Sequence, residues 1–520
     1  MIFAELKRLF ENRNDLLEGL YSEGFVYTNE RAILEKIPEI CSWNLYDFGK
    51  GCILVHPKQK CTVLKKGEIS FAFVGHAYDP VSMEYEEERI LESLSDNVNC
   101  DFFEKFNRLT GVFTFFRMEN DSLTVIGDPS CMQTTFYYAK GGDVLLSSHT
   151  NLIGQLKELC WDPYVKKLVS YRFFNLLGNS LPGNITQFAE VKRIVPNFEY
   201  CFENGKVSYK RFFYPKKIVV SEQETVDYVS SVLHNNLELI SKKWNRPAIS
   251  LTGGCDSKTT LACANGLYDK FEYFSYQSSE SERVDVEAAK DICKALGLEH
   301  KTYLIPDIDD EVKDVVETST ILRWNTGDIR NSNANDVRKR SFLKENFDYD
   351  VEVKSWASEI GRAYYSKRFN GRTEFGDPSP RKMTTLYKFF FHNRKLVKET
   401  DNIFKEYAES FFQTDPNSPV EWQDQFFWEF RVPSWNGLVI TGEHRYSFDI
   451  TIPYNNRLLL NCLLSVPISA RVDDEIYKSI RAKMNPDIDK TGISVQNLKH
   501  TKRREKLENL YYTIHSRMFF

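Results

Sequence analysis

The chain has 520 residues, of which 42% are hydrophobic and 27% charged, and it carries a net charge of −5. That length exceeds what one hydrophobic core sustains, so two domains are expected. The slight acidity, with no long basic block before the C-terminal tail, argues against nucleic acid as the partner.

The N-terminal stretch MIFAELKRLFENRND turns polar too early for a secretory leader. No apolar run approaches the ~18–20 residues that a membrane span needs. Eleven cysteines, spread without C-x-x-C pairs, point to reduced thiols in a cytoplasmic protein and against a zinc cluster.

From about Gly24 to Tyr214 short runs rich in Phe, Tyr, Val and Ile alternate with turns. Gly51–His56, Ile69–Val74 and Leu123–Gly127 read as strands, and Glu86–Leu94 and Lys166–Leu177 as helices. This order predicts two packed sheets with flanking helices. Three further stretches stand out: Leu109–Phe116 (LTGVFTFF), Asp128–Tyr138 (DPSCMQTTFYY) and Leu145–His149 (LLSSH).

Phe212–Glu222 reads as a crossover. Thr225–Lys243 follows as a helix, with Val226, Val229, Leu233, Leu237 and Ile240 at helical spacing. Pro247–Asn265, PAISLTGGCDSKTTLACAN, then joins a buried strand (Ala248–Leu251), a glycine turn and a helix from about Lys258. Strand, glycine turn and helix N-terminus together make an anion site. Gly253 and Gly254 let phosphate oxygens approach the backbone. Thr252 and Ser257 add hydroxyls. Asp256 repels a bare phosphate and so argues for a bridging divalent metal. A Walker A loop is rejected, because Ser257 stands where its last glycine belongs, and no G-x-G-x-x-G is present.

Phe271–Tyr276 reads as the next strand, Asp285–Leu296 as a helix closed by Gly297, and His300–Leu304 as a third strand. Strand–helix–strand–helix–strand predicts a parallel, doubly wound sheet, with ligands at its C-terminal strand ends. Beyond it lie Val351–Tyr365 (VEVKSWASEIGRAYY), an aromatic helical stretch Glu421–Phe430, Phe448–Asn456, a helix Leu458–Val466, Arg471–Met484, and a basic tail Lys499–Lys506.

The T-G-G-x-D-S loop resembles that of the PP-loop ATP pyrophosphatases. With it, the three sandwich stretches resemble the L-x-G-x-F-A-F, R-D-x-x-G-x-x-P-L-Y-Y and F-A-S-E segments of the asparagine synthetase family. The likeness runs along nearly the whole chain, loose in residues but right in order. It implies an α/β protein in two parts. Residues 1–215 would be a degenerate glutaminase-like sandwich of the N-terminal-nucleophile hydrolase kind. Residues 216–520 would be a doubly wound PP-loop (HUP-like) synthetase domain with a helical C-terminal part.

Glutaminases of the family carry a cysteine directly after the initiator methionine. Here Ile2 stands at that place, the first cysteine is Cys41, and Gly127 replaces the arginine of the Arg-Asp pair. The expectation is a domain without glutaminase activity, in which Cys52 and Cys61 are packing residues.

For the second part the resemblance implies ATP and Mg2+ as cofactors. Leu251, Thr252, Gly253, Gly254, Asp256 and Ser257 would hold pyrophosphate, and Ser275 and Tyr276, beside Gln277, the nucleoside. Asp285 reads as a helix-start acid. Glu359 stands in the place of the family's S-G-E-G-x-D-E loop, where it would either share the metal with Asp256 or accept a proton from the attacking amine. Arg362 would cover a phosphate or a substrate carboxylate. No lysine falls cleanly at the family's catalytic position; Lys478 is nearest, with Arg481 one turn on. Asn455 or Asn456 falls at the aspartate of its R-x-P-F-L-D stretch.

The expected chemistry is adenylation of a small-molecule or peptide carboxylate and its conversion to an amide, releasing AMP and pyrophosphate. Nitrogen would come from ammonia, a partner glutaminase or a substrate amine. The chain would work without nucleic acid or a membrane span, as monomer or homodimer. The alternative is a non-catalytic ATP-binding scaffold or regulator of a surface-glycan or peptide-modification pathway.

Overall fold

The computed structural model describes residues 2–96, 101–175, 179–330, 332–388, 393–491 and 510, 511, 513 and 514. The basic tail at 499–506 lies outside them. Among the described residues no helix is long and apolar enough to cross a membrane.

Twelve strands form between Phe25 and Arg211 among the described residues. They are β1 (Phe25–Thr28), β2 (Asn44–Phe48), β3 (Gly51–Val55), β4 (Cys61–Lys66), β5 (Ile69–Tyr78) and β6 (Thr110–Glu119), then β7 (Ser122–Gly127), β8 (Phe136–Lys140), β9 (Asp143–Ser147), β10 (Lys192–Arg193), β11 (Phe198–Glu203) and β12 (Lys206–Arg211). They make two six-stranded antiparallel sheets, ordered β10-β8-β9-β1-β3-β2 and β12-β11-β7-β6-β5-β4.

The period-2 pattern decides which sides meet. Phe25, Tyr27, Ile53 and Val55 of the first sheet share a core with Ala72, Val74, Val112, Phe116 and Val125 of the second. The alternate residues Phe71, Phe73, Phe113 and Phe115 turn outward and are covered by Ile90, Leu91, Leu94, Phe102 and Phe106. On the other outer face, Val26, Leu54 and Leu145 pack with Leu6, Phe10, Leu152, Ile153 and Leu156. The result is a helix–sheet–sheet–helix sandwich, as expected. The helix expected over Lys166–Leu177 is shorter: it runs Pro163–Val169, capped by the Asp162 carboxylate, which accepts from Tyr164 N at 2.8 Å. Leu177 lies outside the described residues.

The second part is built on a parallel sheet of β13 (Pro247–Ser250), β14 (Glu272–Gln277), β15 (Lys301–Leu304), β16 (Val351–Val353) and β17 (Ile450–Thr451). Its order is β15-β14-β13-β16-β17, with every neighbouring pair parallel. Helices Glu222–Lys243, Cys255–Cys263 and Glu280–Ala295 flank it. The first is longer than its apolar periodicity indicates, because Ser221 and Glu224 form a capping box ahead of it. Arg471–Met484, read as one stretch, is two helices, Ile468–Val472 and Glu475–Met484. Asp474 between them sits in the left-handed region at φ 57°.

The two parts are pinned by buried polar contacts. Asn455 Nδ2 donates to Asp128 Oδ1 at 2.8 Å, and Arg457 Nη2 to the Gly127 carbonyl at 2.8 Å. Arg211, at the end of β12, pairs with Glu429 at 2.5 Å with both side chains buried. Asn455 and Asn456, which the resemblance set at the aspartate of the R-x-P-F-L-D stretch, serve this junction: Asn456 Nδ2 donates to Arg108 O at 2.6 Å.

Candidate functional site

The strand order sets the site. β14 and β15 lie to one side of β13, β16 and β17 to the other, so the crevice between the C-terminal ends of β13 and β16 is the topological switch point. The Thr252–Ser257 loop leaves β13 there, and Lys354–Glu359 leaves β16. Between them opens a cleft of about 450 Å³.

The loop is pre-organised by its own hydroxyls. Ser257 Oγ accepts from Thr252 N at 3.2 Å and donates to Thr252 O at 3.0 Å, and Gly254 N donates to Thr252 Oγ1 at 3.1 Å. Gly254 is extended at φ −73°, ψ 158°, and the helix starts at Cys255, three residues before the sequence pattern indicates. The first N–H groups of such a helix have no intrahelical acceptor and suit an anion. Burial pushes up the thiol of Cys255, next to Asp256.

Of the residues singled out in the sequence, Leu251, Thr252, Gly254, Asp256, Ser257, Ser275, Tyr276, Asp285 and Glu359 line this one cleft. Gly253 is buried in the loop itself. Ser275 Oγ donates to Leu251 O at 2.7 Å and lies 2.9 Å from His300 Nε2, which fixes it in place. Arg362 stands beside the cleft, its Nη1 2.5 Å from Asp256 Oδ2. Its Nε and Nη2 both donate to Asp474 at 2.8 Å, and Lys367 joins the same carboxylate at 2.5 Å. Lys478 is exposed on its helix and is not among the residues lining the cleft. Ile476, Tyr477, Ile480 and Arg481 form that helix's buried side. Arg481 packs beneath the loop helix, donating to Thr259 Oγ1 at 3.0 Å.

The cations that do line the cleft are Lys339, Arg340 and Lys354. Lys354 is buried, with Nζ 2.9 Å from Glu352 Oε1 and 4.9 Å from the Trp356 ring centre. Burial alone would lower its ammonium, but Glu352 outweighs that and holds it above its usual range. Lys339 lies 3.0 Å from Glu282 and 4.5 Å from the Tyr276 ring centre. His444, on the same wall, stays neutral, because burial and the nearby Arg340 and Lys354 push its imidazole well down. None of these was singled out as a site residue. Lys354 directly follows β16, Val351–Val353, and no local pattern in the sequence announces it.

Glu359 is held on a short turn, Ser358–Arg362, bounded by Ala357 at φ 70° and Ala363 at φ 48°. Alanine in this region costs about 1–2 kcal/mol, so the turn is kept strained by the packing around it. Burial, and then the charge of Asp256, push the Glu359 carboxyl up to about 7. Asp256 Oδ1 is buried with no protein partner. Two crowded carboxylates with a spare oxygen suit a divalent cation that completes its shell with water and phosphate. Among the described residues no three or more His, Cys, Asp or Glu side chains form a protein cage for a metal.

No protein-family model matches the chain, and no curated protein does. Among solved structures it is similar to one titled the allosteric regulatory enzyme of purine biosynthesis, at 10% identity over 56% of this chain and 78% of that one, TM-score 0.24. It is similar to a glutamine PRPP amidotransferase from B. subtilis complexed with ADP and GMP, at 10% identity over 56% and 61%, TM-score 0.21. A glutamine-dependent NAD+ synthetase from Acinetobacter baumannii in complex with ADP follows, at 16% identity over 44% and 40%, TM-score 0.21. The match thus spans less than two thirds of the second and third proteins. Likeness at this level carries no argument about activity.

Proposed function

We propose that the chain is an ATP-dependent, asparagine-synthetase-like ligase that adenylates a carboxylate and converts it to an amide. The observation that carries this reading is the meeting of the T-G-G-x-D-S loop with Lys354 and Glu359 across the switch-point cleft. ATP would lie with its phosphates on the N–H groups of Gly253–Ser257 and its nucleoside toward Ser275 and Tyr276. A substrate carboxylate oxygen attacks the α-phosphorus, the bond to the β-phosphate oxygen breaks, and pyrophosphate leaves. An amine then attacks the acyl carbon of the adenylate, and AMP leaves as the amide forms.

In this reading Lys354 faces the negative charge that builds on the phosphates. Glu359, with a carboxyl at about 7, takes the proton the attacking nitrogen gives up. Asp256 would hold Mg2+, whose chemistry is to neutralise pyrophosphate as it departs; were Glu359 to share that ion, it would give up the proton-accepting role. Arg362 keeps Asp256 in position through its 2.5 Å contact.

In this reading the nitrogen comes from ammonia, a partner glutaminase or the substrate, and the described cysteines of the sandwich are read as packing residues. The mouth of β1 carries Glu23 and Gly24, both within the chain. Burial pushes up the thiol of Cys52, and that of Cys61 to about 12. A second reading, a nucleotide-binding protein without turnover, draws on one observation: Arg362 already engages the carboxylate that a metal would use. Purified protein given ATP, Mg2+, ammonium and a panel of carboxylic acids separates the two. AMP and pyrophosphate that depend on one of the acids support the ligase; tight ATP binding with no acid-dependent AMP supports the second reading.

A further inference from the structure

A second cleft, of about 430 Å³, lies where the sandwich meets the parallel-sheet part. Glu23, Lys60 and His76 line it from the sandwich, and Lys243, Arg445 and Asp449 from the other side. It is separate from the nucleotide cleft, although adjacent residues face each: His444 lines the first and Arg445 the second.

Its floor holds charged side chains that the protein does not fully satisfy. Arg445 is 3% exposed. Its Nε lies 3.1 Å from Glu23 Oε2 and 3.3 Å from Asp449 Oδ1, and its Nη1 donates to Gln133 Oε1. Its Nη2 is buried with no partner. His76 is 4% exposed, with Nδ1 3.6 Å from Asp449 Oδ2 and Nε2 buried without a partner. Burying a donor unmatched costs about 1–3 kcal/mol, more when it is charged. Arg445 Nη2 is such a donor, and His76 Nε2 is a second in the ring form that carries a proton there. Both on the wall of one cleft, they point to an oxygen-bearing ligand.

The charge around them fits an anion. Lys60 and Lys243 share one buried carboxylate, Glu87, at 2.7 and 2.6 Å, so that trio keeps a positive charge. Asp449 stays ionised, held well below the usual carboxylate range by Arg445 despite its burial, and so balances that guanidinium. Glu23 adds little further negative charge, because burial and then Asp449 push its carboxyl well above the usual range. That leaves the lysines as the surplus. Asp350, also on the wall, is engaged by Arg246 N at 2.9 Å. The rim is aromatic: Trp244 meets the His76 ring edge-on at 5.0 Å, with Tyr349 beside it on the cleft wall. Gly75 shapes the floor, because at φ +105° a Cβ there would come within 2.2 Å of Val112 O.

We propose that this cleft is a second binding site, for a small molecule carrying a carboxylate or phosphate on a flat apolar body. Arg445 Nη2 and His76 hold the anionic oxygens, Lys60 and Lys243 supply the field, and Trp244 and Tyr349 cover the body. The inference is independent of the ligase reading.

The test is calorimetric titration of the full chain with benzoate and with phenyl phosphate, which separates the two sources of anion. The variants are His76→Phe, which keeps the ring against Trp244 and removes the nitrogen, and Lys60→Met, whose side chain is half exposed and leaves Lys243 on Glu87. The expected result is saturable binding of at least one probe, weakened tenfold or more in both variants and unchanged when the nucleotide cleft is saturated with ATP. No saturable binding of either probe overturns the proposal. So does binding indifferent to His76→Phe and Lys60→Met, or binding abolished by saturating ATP, which would place the probe in the other cleft.

Discussion

Arg362 Nη1 lies 2.5 Å from Asp256 Oδ2, so the acidic residue of the phosphate loop is paired with a cation of the chain itself. Asp474 grips the rest of that guanidinium, which makes the arginine a fixed charge rather than a mobile one. Arg362→Met should therefore cost about 3 kcal/mol, the scale for removing one partner of a mostly buried pair. Added Mg2+ should then raise the variant's thermal midpoint more than that of the parent, because an ion can replace the lost charge beside Asp256. Scanning both proteins with and without MgCl2 checks this. An equal response would mean that Asp256 is not the residue the ion meets.

Glu359→Gln tests the crowded carboxylates. An acid whose native pKa is raised, here to about 7 from 4.5, binds more protons folded than unfolded between those values. Stability therefore falls as pH rises through that window. The glutamine variant lacks this loss. It should match the parent below about pH 4.5 and exceed it increasingly up to pH 7, after which the gap stays constant. Denaturant midpoints measured at pH 4, 5.5 and 7.5 would show the trend; a gap independent of pH would mean that burial and Asp256 do not raise the Glu359 carboxyl.

Lys354→Met should weaken ATP binding by about 10–100-fold, the value of a hydrogen bond to a charged group. It also strands Glu352, which is fully buried with Oε2 already unpartnered. The double variant Glu352→Gln/Lys354→Met should recover stability without recovering affinity. Calorimetric titration with ATP alongside thermal scans separates the two effects. Recovery of affinity in the double variant would make Lys354 a packing residue.

The junction of the two parts rests on Arg211 and Glu429, whose carboxylate also accepts from Asn197 Nδ2 at 2.9 Å. Arg211→Met leaves that carboxylate buried and uncompensated, at a cost of about 3–5 kcal/mol. Arg211→Met/Glu429→Gln should be milder than the single change. Urea midpoints for both proteins test this, and a double variant worse than the single would show that the pair's charge is not what matters.

Much of this was legible in the chain because it is local. The strand, glycine turn and helix from Pro247 announce an anion site from neighbouring residues alone, and the apolar run in Leu109–Phe116 announces a strand. Three features were not legible, each for a reason of distance or direction. Lys354 belongs to the site because the crossover brings β16 beside β13, which no local pattern encodes. Arg362 looked like a substrate arginine, but its partner is Asp256, 106 residues earlier. Lys478 fell near the expected spacing, yet spacing does not say which side of a helix faces in, and Tyr477 and Arg481 take that side.

The most direct test of the ligase reading follows ATP labelled at the α-phosphate, incubated with the purified chain, Mg2+, ammonium and a panel of carboxylic acids. The account predicts acid-dependent AMP with equimolar pyrophosphate, abolished in Asp256→Ala, and the same yield whether or not glutamine is added. ADP and inorganic phosphate as products would contradict it, because they would mean cleavage at the γ-phosphate and not between the α and β phosphates.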